Sequence, residues 1–91
     1  MVNEQFNSSE SLQKIGILLP AYNEEKNIAK VINECKKFFP KALILVVDDG
    51  SKDATASIAR KLGVIVISHK RNMGKGEALK TGFKYLSLIH I

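Results

Sequence analysis

The stretch Leu43–Thr55, read Leu-Ile-Leu-Val-Val-Asp-Asp-Gly-Ser-Lys-Asp-Ala-Thr, constrains the fold more than any other part of the chain. Five apolar residues run without interruption into two adjacent carboxylates, a glycine and a serine. A strand apolar on both faces is what a parallel sheet needs when helices cover both of its sides. A buried helix segment would share the apolar run, but the β-branched pair Val46-Val47 and the abrupt stop at Asp48-Asp49-Gly50-Ser51 favour a strand. Asp48 and Asp49 then stand at the carboxyl end of a central strand, the edge where open α/β sheets bind ligands. A lone Asp-Gly reads more simply as a polar turn and helix cap. The doubled carboxylate followed by serine, directly after a buried strand, favours a binding loop.

Two other short apolar runs flank this one. Ile15–Leu19 ends at Pro20, which cannot donate to a sheet ladder and is expected to close the strand. Val64–Ile67 is the third strand. Between the first two, Ile28, Val31, Ile32, Cys35 and Phe39 recur at helical spacing, with Lys26, Lys30, Glu34 and Lys37 opposite. Asn23 is the expected N-cap of that helix, and Phe38-Phe39-Pro40 its stop. Cys35 falls on the stripe and reads as a packing residue. A second helix carries Ala54, Ile58, Ala59 and Leu62, with Ser51 or Asp53 as cap and Gly63 as its left-handed end. A third starts at Gly74-Lys75-Gly76 and carries Ala78, Leu79, Gly82, Phe83 and Leu86 on one stripe. The order β-α-β-α-β-α predicts an α/β fold: a parallel sheet with right-handed crossovers and helices on its faces.

With 91 residues the chain is one small domain or part of one. Fourteen basic residues against nine acidic give a net charge of +5, which suits an anionic partner. A nucleic-acid module would interleave aromatics with cations on an open face. Phe38, Phe39 and Phe83 are instead expected on or beside buried stripes, so no nucleic-acid partner is expected. Residues 1–13 form a polar tail without an apolar signal core, so the sequon at Asn7-Ser8-Ser9 is taken as chance. The single Cys35 forms no internal disulfide, and a cytoplasmic location is expected. No apolar run reaches the roughly 18 residues of a membrane helix. Any membrane association, at the cytoplasmic face, would come through parts not in this chain.

Three strand ends meet at one edge of such a sheet, carrying Pro20–Glu24, Asp48–Ser51 and His69–Gly76. Carboxylates, an aromatic and cations together suit a nucleotide: a carboxylate accepts from base or ribose, Tyr22 packs on a base, and Lys75 at a helix start meets phosphate. The standard phosphate loops are absent. The first turn has Pro20 in place of a dinucleotide fingerprint, Leu79 stands where its third glycine would be, and Lys75 is followed by Gly76 instead of the Ser or Thr of a Walker loop. His69 reads as an ordinary loop residue.

Pro20-Ala-Tyr-Asn-Glu24, Val47-Asp-Asp-Gly-Ser51 with Asp53 and Thr55, and Asn72-Met-Gly-Lys-Gly76 with Ala78-Leu79 stand in one order and spacing. In these the chain resembles the opening of family 2 glycosyltransferases, above all the dolichyl-phosphate mannose synthase-like branch. The resemblance covers about Ile15 to Tyr85. It implies the nucleotide-binding half of a GT-A, Rossmann-like domain over residues 14–85, binding a nucleoside-diphosphate sugar and passing a hexose to a polyprenyl phosphate. Pro20, Tyr22 and Glu24 would line the base and ribose pocket. Asp49 would accept from the base, Asp48 would hold the loop, and Lys75 would lie near the diphosphate. The family also implies Mg²⁺ or Mn²⁺ on a D-x-D motif after a fourth strand. No D-x-D occurs in these residues, so the chain by itself is expected to be inactive, with no catalytic and no metal-binding residue of its own.

A non-catalytic nucleotide-binding or receiver-like signalling α/β domain is the alternative, since a receiver too joins an acidic pair and a lysine on a parallel sheet. Its pair should follow the first strand and its phosphoacceptor the third, whereas here the pair follows the second and the third ends in Ser68-His69. The end of the chain, Leu86-Ser-Leu-Ile-His-Ile91, can be encoded CTG TCT CTT ATA CAC ATC, which matches a transposase sequencing adapter. Residues 86–91 are therefore expected to be a non-native tail, with the natural protein continuing beyond Tyr85. The alternative there is the apolar start of a further strand.

Overall fold

Strand β2, Leu43–Asp48, is the middle of a three-stranded parallel sheet ordered β1-β2-β3, with β1 at Gly16–Ala21 and β3 at Ile65–Ser68. The computed structural model describes residues 15–89, so the polar tail, its sequon and His90 lie outside the described residues. The register sets Leu18 beside Leu45 and Leu45 beside Ile65, and it brings Ala21, Asp48 and Ser68 level at the carboxyl edge. The connections are helices: α1 at Ile28–Phe38 between β1 and β2, α2 at Thr55–Lys61 between β2 and β3, and α3 at Lys75–Leu88 after β3.

Alternation along β2 divides the core into two layers. Val46 points to one face, where it meets Ala21, Ile28 and Ile32 of α1 and Ala59 of α2. Leu45 and Val47 point to the other, against Ala78 and Leu86 of α3. A strand buried on both faces therefore has no room for a polar residue until its end, which is why its sequence is an unbroken apolar run. On the α3 side, Gly82 admits the helix closely: a Cβ there would lie 2.2 Å from Leu18 Cδ1.

Pro20 does not close β1, which runs on to Ala21. The carbonyls of Ile15 and Ala21 both accept from β2 and its extension, at 2.9 Å from Leu43 N–H and 2.8 Å from Asp49 N–H. Odd-numbered residues of β1 thus turn their backbone groups to β2, and even-numbered Pro20 turns its missing N–H to the outer edge, where a proline is tolerated.

The helical stripes are also narrower than expected. Only Ile28 and Ile32 of α1 are buried, Cys35 is half-buried, and Val31, Phe38 and Phe39 are exposed, Phe38 by 66%. On α3, Phe83 is 62% exposed. The buried line is Ile28 and Ile32 on α1 and Ala78, Gly82 and Leu86 on α3, and the exposed aromatics lie beside it or at the end of α1. The case against a nucleic-acid partner from buried aromatics therefore does not hold for these three. Leu86 continues the Ala78–Gly82 seam, so residues 86–88 extend a helix and do not begin a strand.

Gly50 and Gly63 both have φ near +80°, at +77° and +81°. They differ in surroundings: a Cβ on Gly50 would lie 2.3 Å from the Arg71 carbonyl carbon and 2.5 Å from Asn72 N, whereas nothing lies within 4 Å of one on Gly63. Gly63→Ala is expected to cost only the left-handed strain, about 1 kcal/mol, and Gly50→Ala at least about 2 kcal/mol more, because it pushes the loop after β3 away. Urea unfolding of the two variants measures the difference; equal losses would mean that the backbone contact at Gly50 is unimportant.

Candidate functional site

At the carboxyl edge the three loops are tied to one another by side chains that a strand-and-helix reading leaves without duties. The first and second loops exchange bonds in both directions. Asn23 N–H donates to Ser51 Oγ at 2.8 Å, Glu24 N–H to Thr55 Oγ1 at 2.8 Å and Glu25 N–H to Asp53 Oδ2 at 3.2 Å. In return Lys52 N–H donates to Asn23 Oδ1 at 2.9 Å and Ala54 N–H to Glu25 Oε1 at 3.1 Å. Asn23 is thus not the cap of α1. It sits at φ +53°, a conformation asparagine tolerates, with its amide committed to the second loop. The helix begins only at Ile28, after a turn closed on the Glu24 carbonyl. The N-cap position of α2 is Ala54, which has no side-chain cap, so neither Ser51 nor Asp53 occupies it. Asp53, one residue earlier, accepts through Oδ1 from Thr55 N–H at 3.0 Å and from the Thr55 hydroxyl.

Asp49 ties the second loop to the third. Its carboxylate is buried, yet every contact is a donor. Oδ1 accepts from His69 Nδ1–H at 2.8 Å and Met73 N–H at 2.9 Å, and Oδ2 accepts from Gly74 N–H at 2.8 Å. Burial pushes this carboxyl up, but the bonds from His69, Met73 and Gly74 outweigh it and hold its pKa below the ordinary carboxylate value. A carboxylate takes about four hydrogen bonds. With three made, one acceptor site remains, on Oδ2. Asp48 turns the other way, accepting Ser51 N–H at 3.2 Å.

Between the loops lies a cleft of about 370 Å³. Of the residues singled out in the sequence, Pro20, Tyr22, Glu24, Asp49 and Lys75 line it, and Asp48 does not. Ala21, Asn72, Gly74 and Ala78 complete the lining. Tyr22 is 42% exposed, so a face of its ring is open to a ligand. Lys75 is the first residue of α3, where the helix dipole favours an anion. A second hollow of about 410 Å³, at the opposite end of the sheet beside Phe39, Leu43 and Val64, has Lys36 as its one charged lining residue. That lysine donates to the Leu62 carbonyl.

His69 is the residue that sequence reasoning missed. Its side chain is 12% exposed, bonded to Asp49 through Nδ1 and to Thr81 Oγ1 of α3 through Nε2, at 2.8 Å each. The signal was the register: Ser68 ends β3 level with Asp48, and His69, the residue that follows, donates its N–H to the Asp48 carbonyl at 2.8 Å and so stands near Asp49. The residues present do not suit a divalent metal. Among the described residues no three His, Cys, Asp or Glu side chains gather, and of the two carboxylates in the cleft, Glu24 and Asp49, the buried one already accepts three N–H donors.

The profile of the family described as "Glycosyl transferase family 2" matches residues 16–87. The chain is 46% identical over 82 residues to the protein MJ1222 of Methanocaldococcus jannaschii, covering 90% of this chain and 33% of that protein. It is 38% identical over 87 residues to the UDP-N-acetylglucosamine–dolichyl-phosphate N-acetylglucosaminyltransferase of Methanococcus voltae, covering 77% and 34%. In structure it is similar to the mannosyltransferase PcManGT of Pyrobaculum calidifontis, solved in complex with GDP-Man and Mn²⁺. The TM-score is 0.68 at 26% identity, over 79% of this chain and 24% of that one. The chain thus spans a quarter to about a half of the length of the curated relatives it matches.

The Asp49 bonds give the fold an acid dependence. A folded pKa below 3.8 means that their stabilisation is complete above that value and is lost as pH falls through the depressed one. Asp53, lowered by Thr55 and Glu25 donors against its own desolvation, acts in the same direction. Unfolding free energy is expected to be flat from pH 7 to about 5 and to fall steeply towards about pH 2. Asp49→Asn, which sets an NH₂ group against one of the present donors, should lose about 1–3 kcal/mol at pH 7 and show a shallower acid slope. Urea titrations at both ends of the range check this; an unchanged slope in Asp49→Asn would assign the acid sensitivity elsewhere.

Proposed function

The chain belongs to glycosyl transferase family 2, and from that premise we propose that its cleft holds the nucleoside diphosphate of a sugar donor. The observation that carries this reading is the convergence, within one cleft, of an acceptor held anionic, an open aromatic ring and a lysine at a helix start. Each suits a different part of such a ligand. Asp49 takes a ring N–H of the base on its remaining acceptor site, Tyr22 stacks on the base, and Pro20 and Glu24 border the ribose. Asp48 holds the second loop through Ser51, and Lys75 meets the diphosphate as a charge-assisted donor.

The acceptor in this proposal is a polyprenyl phosphate, by likeness to the Methanococcus voltae relative named for dolichyl phosphate. The reaction is then transfer of a hexose to that phosphate, at the cytoplasmic face of a membrane. Among the described residues no helix is long and apolar enough to cross a membrane. A divalent cation such as the neighbour's Mn²⁺ would offset diphosphate charge. Its protein ligands would have to come from outside the described residues. With no D-x-D in its sequence, the chain by itself binds donor and does not transfer sugar.

Calorimetry with UDP, GDP and the corresponding nucleosides tests the binding reading. Lys75→Ala should weaken binding of the diphosphates about tenfold and leave nucleoside binding nearly unchanged, the loss expected for one hydrogen bond from a charged donor. Equal losses for both ligand types, or no binding of either nucleotide by the unaltered protein, would overturn it. Transfer of labelled sugar to polyprenyl phosphate by the 91-residue chain alone would refute the claim that it binds without turnover.

A further inference from the structure

The half-buried chain Asp49–His69–Thr81 joins the residue after β2, the residue after β3 and the middle of α3. Its proton arrangement follows from the partners. Asp49 is anionic and can only accept, so the proton of a neutral His69 must sit on Nδ1. Nε2 is then an acceptor, and the Thr81 hydroxyl is its donor. A threonine inside a helix commonly turns its hydroxyl back to the carbonyl four residues earlier; Thr81 turns it to the imidazole.

From this geometry we propose that His69 and Thr81 are a positioning pair for base recognition. They fill Asp49 Oδ1 and fix the carboxylate's rotation, so that the open acceptor site on Oδ2 faces the cleft. The inference rests on the nucleotide-binding reading above. The count of bonds supports it. Oδ1 takes two donors, His69 Nδ1–H and Met73 N–H, while Oδ2 takes one, Gly74 N–H. Without the imidazole the carboxylate could rotate about its Cβ–Cγ bond and share the two amides differently. Without the Thr81 hydroxyl the ring loses its far anchor and can turn away from Oδ1. Neither residue lines the cleft, so both act through Asp49.

Two measurements on the 91-residue chain test the pair, one without ligand. Imidazole ¹⁵N shifts should report a single Nδ1–H tautomer for neutral His69. Thr81→Val should reduce its population and Thr81→Ser restore it. An Nε2–H tautomer in the unaltered protein, or no response to Thr81→Val, overturns the inference whatever the protein binds. The second uses UDP, GDP and inorganic pyrophosphate as probes. Thr81→Val should weaken binding of UDP and GDP about fivefold, as for one neutral hydrogen bond, leave pyrophosphate binding unchanged, and be rescued by Thr81→Ser. Equal weakening of all three probes would mean that the pair only supports the loop, and would overturn it. If the unaltered protein binds pyrophosphate but no nucleotide, the base-recognition reading fails while the tautomer result still stands or falls separately.

Discussion

Everything at the carboxyl edge depends on one buried carboxylate being more attractive to the loop after β3 than water is. Asp49 sits at 4% exposure, where an unpaired charge would be costly. Three donors from residues 69–74 offset that cost and in doing so fix the path of the third loop. Gly50 then makes the approach feasible, since the Arg71–Asn72 backbone lies where any side chain would be. The charge and the glycine belong to one device: the carboxylate draws the loop in, and the missing Cβ lets it arrive.

The first and second loops use a different device. Their bonds are reciprocal, each loop supplying both side-chain acceptors and backbone donors to the other. Ser51, Asp53 and Thr55 are therefore wanted as oxygen acceptors at fixed positions, and Asn23 for its tolerance of positive φ. Such a lattice positions Tyr22 and Glu24, which are themselves exposed, just beyond the buried Ala21. The cleft is built by hydrogen bonds on a scaffold built by burial.

That division explains what could be read in the sequence. The α/β order, the three strands and the convergence of the loops after them follow from apolar periodicity and strand-end logic, both strong signals, while the choice of Pro20, Tyr22, Glu24, Asp49 and Lys75 within those loops rests on the resemblance to family 2 glycosyltransferases. What escaped is what depends on pairing between loops. Asn23 looked like a helix cap because its local pattern is that of a cap, and its partner Lys52 is distant in sequence. His69 looked idle because its two partners, Asp49 and Thr81, come from other elements. Phe38 and Phe83 looked buried because helical spacing reports a stripe, whereas the width of the sheet decides how much of that stripe is covered.

Pro20 carries a consequence beyond its place in β1. Its ring replaces an N–H on the outer edge of the sheet, next to the cleft. Gly16 and Leu18 can both donate and accept there, whereas Pro20 can only accept. A segment that pairs with this edge therefore makes one hydrogen bond fewer at the rim, beside the entrance at Tyr22, than it makes lower down.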